Sequence, residues 1–256
     1  MSLIVTVCTN EGIVMASDSR ITYNNLITGE KGVHFSDTAY KTFMCGENIG
    51  ISTCGNADIY GVPIAGYIED FIKNNFSNQD VATTSNLLLE YFNKIAKGQN
   101  IHFQIAGYTR KDDKDLPTVY EVYLAENLVR ESLLGGCNAF IDGEKDIIFK
   151  LFRHGYIVDN ENVLKFDNLT IDNEDGTKSS YKNSIVLINN FSELIGAKIA
   201  WNLLTLQDAV DFARYTIQTT IETMRFEQRV KTVGGPIDVL IIKPTGAKFL
   251  VRKELK

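Results

Sequence analysis

Short runs rich in Ile and Val, separated by Gly, Asn and Pro, show the pattern of β-strands joined by tight turns. The first two runs are turned at Asn10-Glu11-Gly12 and form a hairpin at the amino end. The last two runs, near the carboxyl end, form a second hairpin, so strands are predicted at both ends of the chain. The predicted strands cover residues 3–8, 13–16, 40–45, 49–53, 102–108, 119–124, 128–134, 239–242 and 248–251.

Between these strands, apolar residues recur at three- and four-residue spacing, which is typical of amphipathic helices. The spacing predicts one helix over residues 57–75 and a second that begins after Thr83-Thr84-Ser85. The Ser and Thr residues at that point are candidates for its N-cap. Two more helices are predicted, over residues 137–153 and in a long region centred on residues 209–224.

Two polar stretches complete the pattern. Residues 22–38 are predicted to form an irregular loop, and residues 156–184, dense in Asn, Asp, Gly and Ser, a surface insertion. The order of strands, helices, strands, helices and strands shows neither a regular βαβ alternation nor a repeat, which favours an α+β fold. The sequence therefore predicts one domain over residues 1–256 that carries an insertion around residues 156–184.

Composition narrows the function classes. The net charge of −6 provides no basic face for nucleic acid, and no stretch approaches the roughly 18 apolar residues of a membrane span. The cysteines form no CxxC pair and no signal peptide is evident, which together indicate the reducing cytoplasm. Neither the cysteines nor the three histidines have the spacing of a zinc site or a catalytic triad, so no metal and no cofactor is expected.

Residues 12–20 read Gly-Ile-Val-Met-Ala-Ser-Asp-Ser-Arg. This segment resembles a block of the proteasome β-subunit type of N-terminal-nucleophile (Ntn) hydrolases, the group of bacterial 20S proteasomes, HslV and Anbu. Lys41 lies fourteen residues before Gly55, which matches the family's spacing between a lysine and a glycine-containing segment. The resemblance implies a four-layer αββα sandwich, with two antiparallel sheets face to face and helices outside. It also implies a homo-oligomeric ring, without specifying the ring size or an ATPase partner.

The frame of this resemblance identifies a nucleophile. Aligning Gly12 and Asp18 with the family block without a gap places Ser2 on the family's N-terminal threonine. A methionine before serine is of the kind that methionine aminopeptidase removes, so no propeptide is expected. The free α-amine, with a pKa of about 8, can then act as the base for the hydroxyl of its own residue.

The remaining catalytic roles are those that the resemblance implies. The Lys41 ammonium would favour the deprotonated amine and the developing alkoxide, while Asp18 would hold Lys41 and Arg20 would brace the same corner. A backbone N–H at Gly55 would bind the oxyanion. No charged residue is among those that would line the specificity pocket, so an apolar substrate side chain is expected next to the scissile bond. The pocket residues in this frame are Ile21, Ala39, Phe43, Thr53 and Ala57.

The chain departs from the family pattern in three places. Serine replaces the usual threonine, Gly136-Cys137 stands for a Ser-Gly turn, and residues 230–233 replace an Asp-x-x-Ser segment. The lost groups support the terminal amine in the family, and Glu227 and Thr232 are the candidates to replace them. Three functions therefore remain open: a threonine/serine-type peptidase, an amidase for a small non-peptide substrate, and a catalytically silent, proteasome-like structural or binding subunit.

Overall fold

A computed structural model of the chain describes residues 2–23, 34–152, 163–172, 178–187 and 199–254. The chain divides into two compact units, the larger formed by Met1–Lys145 with Ala200–Lys256 and the smaller by Asp146–Ile199. The predicted insertion at residues 156–184 lies within the smaller unit. No helix of the described segments is long and apolar enough to cross a membrane.

Two five-stranded antiparallel sheets form the larger unit. The first has the order β12-β1-β2-β15-β16, and the second the order β11-β10-β9-β6-β5. The strands of the first sheet are β1 (Leu3–Thr9), β2 (Gly12–Ser17), β12 (Asn138–Gly143), β15 (Asp238–Lys243) and β16 (Gly246–Val251). Those of the second are β5 (Thr42–Cys45), β6 (Ile49–Gly55), β9 (Ile101–Lys111), β10 (Lys114–Tyr123) and β11 (Leu128–Leu134).

The first sheet is covered on both faces. Every residue of β1 and β2 is buried, because helix α4 (Leu206–Phe226) packs against these two strands and the second sheet contacts them on the other side. Met15, Ala106 and Leu240 belong to the apolar cluster that joins the two sheets. Strands that are buried on both faces are expected to have mostly apolar sequences, as residues 3–8 do apart from Thr6, whose hydroxyl donates to Gln104.

Helices α1 (Ile64–Asn74) and α2 (Val81–Ala96) share a second core with the other sheet. Phe71 of α1, Phe92 of α2 and Phe103 of β9 are all fully buried in it. Helix α1 is shorter than the predicted 57–75, because two two-residue strands, β7 (Asp58–Ile59) and β8 (Val62–Pro63), pair with each other just before it.

The predicted N-cap of α2 is wrong. Asp80 is the N-cap, and its carboxylate accepts the backbone N–H of Thr83 at 2.7 Å. The hydroxyls of Thr84 and Ser85 instead donate to the carbonyls four residues earlier, which are those of Asp80 and Val81. A carboxylate at the N-cap also complements the positive end of the helix dipole, which a hydroxyl does not.

The predicted helix at 137–153 is also wrong in its first half. Residues 138–143 form strand β12, which pairs antiparallel with β1, with Val5 opposite Ile141 and Leu3 opposite Gly143. Only Asp146–Phe152 is helical, as α3 of the smaller unit. The apolar residues fit a helical spacing, but the N–H and C=O groups along the edge of β1 have partners only if a further strand pairs there.

The two polar stretches contain strands. In the first, β3 (Ile21–Tyr23) pairs with β4 (His34–Ser36), and residues 24–33 lie outside the described segments. In the second, β13 (Val163–Asp172) pairs with β14 (Lys178–Leu187) in an antiparallel hairpin of the smaller unit. The rest of the predicted insertion falls on residues that are not described.

Candidate active site

The carboxylate of Asp18 organises one end of the first sheet. Asp18 follows β2 directly, is fully buried, and accepts four hydrogen bonds. Oδ1 accepts Lys41 Nζ at 2.8 Å and the N–H of Leu3 at 3.0 Å, while Oδ2 accepts the N–H groups of Arg20 at 3.1 Å and Gly234 at 3.0 Å. Four donors from four segments fix the carboxylate in one orientation.

Lys41 is held in the same corner, just before β5. Its side chain is 4% exposed, and Nζ donates both to Asp18 and to the carbonyl of Arg20, the latter at 2.6 Å. Burial lowers the pKa of Lys41, and the charge of Asp18 opposes that shift. The sequence-predicted contact between Asp18 and Lys41 is therefore present, with the ammonium fixed by two acceptors.

Arg20 contacts Asp18 through its backbone N–H, whereas its side chain pairs with a different carboxylate. Its guanidinium forms a two-pronged ion pair with Asp37, with both N–O distances 2.7 Å, and it stacks on the ring of Phe35 at 4.1 Å. The hydrogen bond with Asp37 raises the pKa of Arg20. A Cβ at Gly234 would lie 2.5 Å from the guanidinium carbon, so a side chain there would displace the guanidinium from its present position.

Ser2 lies immediately before β1 and is 5% exposed. Its carbonyl accepts the N–H of Glu144 at 2.9 Å. At Gly143 an added Cβ would lie 1.9 Å from the same carbonyl oxygen, and the φ of Gly143 is +94°. The end of β12 therefore fixes the backbone of Ser2, and only glycine allows that contact.

This contact was missed from the sequence, which assigned the glycine turn near the nucleophile to Gly136-Cys137. Gly136 has open space around it, whereas Asp142-Gly143 abuts Ser2. The Asp-Gly dipeptide is itself a turn signal, and it breaks the helical spacing of residues 137–153. That signal could have identified both the strand and the turn.

A cavity of about 250 Å³ opens beside Ser2. Lys41 lines the same cavity, as do four of the five predicted pocket residues, Ile21, Ala39, Thr53 and Ala57. Phe43 does not line it, because it lies two residues further along β5, in the core shared with α1 and α2, and is 3% exposed. The remaining lining residues are Ser36, Thr38, Tyr40, Cys54, Asn56, Pro63, Ile64 and Ala65.

Gly55 ends β6 between two lining residues, Cys54 and Asn56. Its φ is +97°, and an added Cβ would lie 2.3 Å from the carbonyl oxygen of Asn100. Glycine is thus required for the backbone to turn at this point beside the cavity. Its assignment as the oxyanion donor remains a prediction.

The two residues proposed to replace the missing amine-supporting groups have other partners. The Thr232 hydroxyl lies 4.0 Å from the sulfur of Met224, and the Glu227 carboxylate pairs with Arg229 at 2.5 Å. Arg229 also lies 3.6 Å from the carboxylate of Glu144, the residue whose N–H binds Ser2. Sequence reasoning missed Glu144, a residue that is 9% exposed and whose backbone N–H donates to the Ser2 carbonyl.

One group of side chains in the described residues has metal-ligating atoms close together. Cys54, His102 and Asp142 each present one such atom, and all three atoms lie within 4.8 Å of one another. Burial opposes ionisation of Asp142, but hydrogen bonding from His102 and the charge of Lys145 outweigh it and lower its pKa to about 2. Burial and the neighbouring Asp142 raise the pKa of the Cys54 thiol.

Comparison with known proteins identifies the fold. No protein-family model matches the sequence, and no curated protein does. The fold is the proteasome-like fold of Ntn hydrolases, as the sequence predicted. A solved structure with this fold is that of an Anbu (Gly-1) mutant from Hyphomicrobium sp. strain MC1, with a TM-score of 0.58 at 13% identity. The match covers 99% of this chain and 86% of that one.

Proposed function

We propose that this chain hydrolyses amide bonds, in peptides or small amides, with Ser2 as an N-terminal nucleophile after removal of Met1. The observation that carries the proposal is that Ser2 and Lys41 line one cavity while the Lys41 ammonium is fixed on Asp18 at 2.8 Å. A serine needs a base within reach, and its own α-amine becomes that base once it is the first residue.

In the proposed reaction, the α-amine of Ser2 takes the hydroxyl proton as Oγ attacks the carbonyl carbon of the substrate. The Lys41 ammonium stabilises the negative charge that develops, and the backbone N–H at Gly55 donates to the oxyanion. The C–N bond then breaks, and the α-amine returns its proton to the leaving amine. Water attacks the resulting ester on Ser2 by the same route and releases the acid.

The cavity supports an apolar substrate side chain next to the scissile bond. Apart from Lys41, its lining residues carry no charge, and Ile21, Pro63 and Ile64 supply apolar surface. A charged side chain would lose its hydration there, and the one charged lining group, the Lys41 ammonium, is already paired with Asp18. The test is a panel of short acyl-amide substrates with Leu, Lys or Glu at that position. We expect the chain to hydrolyse the Leu substrate fastest.

We also propose the four-layer αββα arrangement and a homo-oligomeric ring that works in the cytoplasm. Packing of α4 on the first sheet, of α2 on the second, and of the sheets on each other supports the layers. The proposed region of contact between subunits is α1 with the residues just before it, where Tyr60 and Val62 are 84% and 47% exposed. Sedimentation velocity would test the ring, since a monomer at micromolar concentration would contradict it.

A catalytically silent subunit is the second candidate. The observation that favours it is that Thr232 and Glu227, the candidates to support the amine, have the other partners described above. The two candidates differ in one measurable property, namely covalent reaction at Ser2.

The test is the intact mass of the untagged protein with and without a β-lactone or epoxyketone inhibitor. The proposal expects loss of Met1 and one adduct that maps to Ser2 and is absent in Ser2→Ala. Ser77→Ala, which removes an exposed hydroxyl before α2, is the matched control and should keep the adduct. Retained Met1 without an adduct would contradict hydrolysis and leave the silent subunit.

A further inference from the structure

Three strands that are distant in sequence bring Cys54, His102 and Asp142 together. Cys54 of β6 and His102 of β9 are directly opposite each other in the second sheet. Asp142 comes from β12 in the first sheet, where it lies opposite Ile4. The cluster therefore joins the two sheets, and its three ligand atoms lie within 4.8 Å of one another.

We propose that Cys54 Sγ, His102 Nδ1 and Asp142 Oδ2 bind one Zn²⁺ ion. Thiolate, imidazole and carboxylate are the protein ligands that Zn²⁺ uses, and three of them leave one coordination position for water. In a tetrahedral site the bond lengths of Zn²⁺ place ligand atoms about 3.3–3.8 Å apart. The present separations are close enough that small side-chain rotations would produce this geometry.

The hydrogen bonds of the cluster show how an ion would be accommodated. His102 Nδ1 lies 3.0 Å from Asp142 Oδ2, and a ligand atom of Cys54 lies within 4.8 Å of those of both residues. The imidazole and the thiol are thus both near one carboxylate. On binding, Zn²⁺ replaces the thiol proton, which passes to solvent, and the His102 proton moves to Nε2. The thiolate and the carboxylate together carry two negative charges, so the loaded site is neutral.

The surroundings hold the proposed ligands in place. The other oxygen of Asp142, Oδ1, accepts the N–H of Gly143 at 2.8 Å, which directs Oδ2 at the cluster. The ring of Tyr123 packs edge-on against His102, with ring centres 4.8 Å apart. Lys145 approaches Oδ1 at 3.4 Å, but its side chain is 44% exposed, so its charge is partly screened by solvent. Supporting contacts of this kind orient metal ligands.

The ion would lie at the wall of the candidate active site. Cys54 lines the cavity together with Ser2. Its Cβ would lie 3.4 Å from a Cβ added at Gly143, the residue that contacts Ser2. If the proposed hydrolysis holds, Zn²⁺ should therefore slow acylation of Ser2. Zn²⁺ binding itself does not depend on that function.

The experiment uses the untagged, chelator-treated chain. Zn²⁺ is titrated against a chromophoric chelator, and Co²⁺ is added to a second sample to record its absorption spectrum. We expect one Zn²⁺ per chain and, with Co²⁺, a thiolate-to-metal charge-transfer band in the near ultraviolet. Cys54→Ser and His102→Gln should each weaken binding by at least about tenfold, since even loss of a supporting contact has that effect.

Two control variants distinguish binding at this cluster from binding elsewhere on the chain. Cys137→Ser removes a partly exposed thiol of the larger unit and should leave binding unchanged. Ser2→Ala should still bind Zn²⁺, so a failure of the proposed hydrolysis does not affect the result. Equal affinity in Cys54→Ser and the wild-type chain, or absence of the charge-transfer band in a folded sample, would overturn the proposal.

Discussion

Two buried lysine–aspartate pairs lie at the same end of the first sheet. Lys41 pairs with Asp18, which follows Ser17, and Lys253 pairs with Asp238, which lies opposite Ser17 on β15. Their side-chain exposures are nearly the same, 4% and 0% for the first pair and 5% and 0% for the second. Burial and pairing therefore do not distinguish a catalytic pair from a structural one.

The pairs differ in what their carboxylates connect. Asp18 accepts three backbone N–H groups besides Lys41, and two of them, those of Leu3 and Gly234, come from segments far from it in the chain. Asp238 accepts the N–H and the ammonium of a single residue, Lys253. Only the first pair reaches the cavity that contains Ser2, although Tyr40, a lining residue, has its ring centre 4.4 Å from Lys253 Nζ. The position of the Lys41 ammonium beside the proposed nucleophile, Ser2, is therefore what sets the first pair apart.

The largest expected difference is in reactivity toward the β-lactone. Lys41→Met removes the charge that favours the attacking alkoxide and should slow adduct formation at Ser2 by at least about a thousandfold. Lys253→Met removes an equally buried charge away from the cavity and should leave the rate within about tenfold of wild type. Intact mass against time measures both rates. Equal losses in the two variants would remove the distinction between the pairs.

The next largest expected difference is in the free energy of unfolding when each carboxylate is replaced. Asp18→Asn turns one acceptor oxygen into a donor that faces buried N–H groups, and it leaves Lys41 without its counter-ion. The expected cost is about 3–5 kcal/mol. Asp238→Asn affects only contacts to Lys253, near the end of the chain, and should cost about 1–2 kcal/mol. Urea unfolding measures both, and a larger cost for Asp238→Asn would contradict the role of Asp18 as the connecting residue.

The local part of this site could be predicted from the sequence. The resemblance of residues 12–20 to the family block indicated Asp18, and the matching spacing to Gly55 indicated Lys41. Of the two, Lys41 lines the cavity, and Asp18 holds it there. Local patterning also predicted the strand at 128–134, although none of its residues is fully buried. It predicted the helix near 209–224 because α4 buries one continuous apolar face.

The remaining part depends on contacts between distant residues. Strand β12 was predicted as a helix, because its apolar spacing was given more weight than the Asp142-Gly143 turn signal and because its partner β1 is distant in sequence. That pairing brings Gly143 against Ser2. It also brings Asp142 close to Cys54 and His102. Phe43 lies outside the pocket for a similar reason. It packs into the core with residues of α1 and α2, and this packing depends on segments that are distant in the chain.

Substitution of Gly143 should move Ser2 while leaving both ion pairs intact. Gly143→Ala would place a Cβ on the carbonyl of Ser2 and should cost about 2 kcal/mol and slow adduct formation by about tenfold or more. Gly136→Ala is the matched control, since its φ is +88° but nothing lies within 4 Å of the added Cβ. It should cost about 1 kcal/mol and keep the rate. Normal reactivity in a folded Gly143→Ala chain would show that Lys41 acts without a fixed Ser2.

The smallest expected effect is on the pH dependence of stability. Burial lowers the pKa of both Lys41 and Lys253 from the ordinary 10.5, and the charge of Lys41 lowers that of Lys253 further. Below 10.5 the unfolded chain then binds more protons than the folded one, so each lysine makes stability rise as the pH increases through its folded-state pKa toward 10.5.

The buried Cys45 thiol, whose pKa is raised to about 12, acts in the opposite direction above about pH 9. The quantity to measure is therefore the free energy of unfolding of the wild type minus that of Lys253→Met, from urea titrations between about pH 8 and 10, in which the thiol cancels. This difference should increase with pH by up to about 1 kcal/mol. A decrease would mean that Asp238 outweighs burial, and the two pairs would then differ in electrostatics as well as in position.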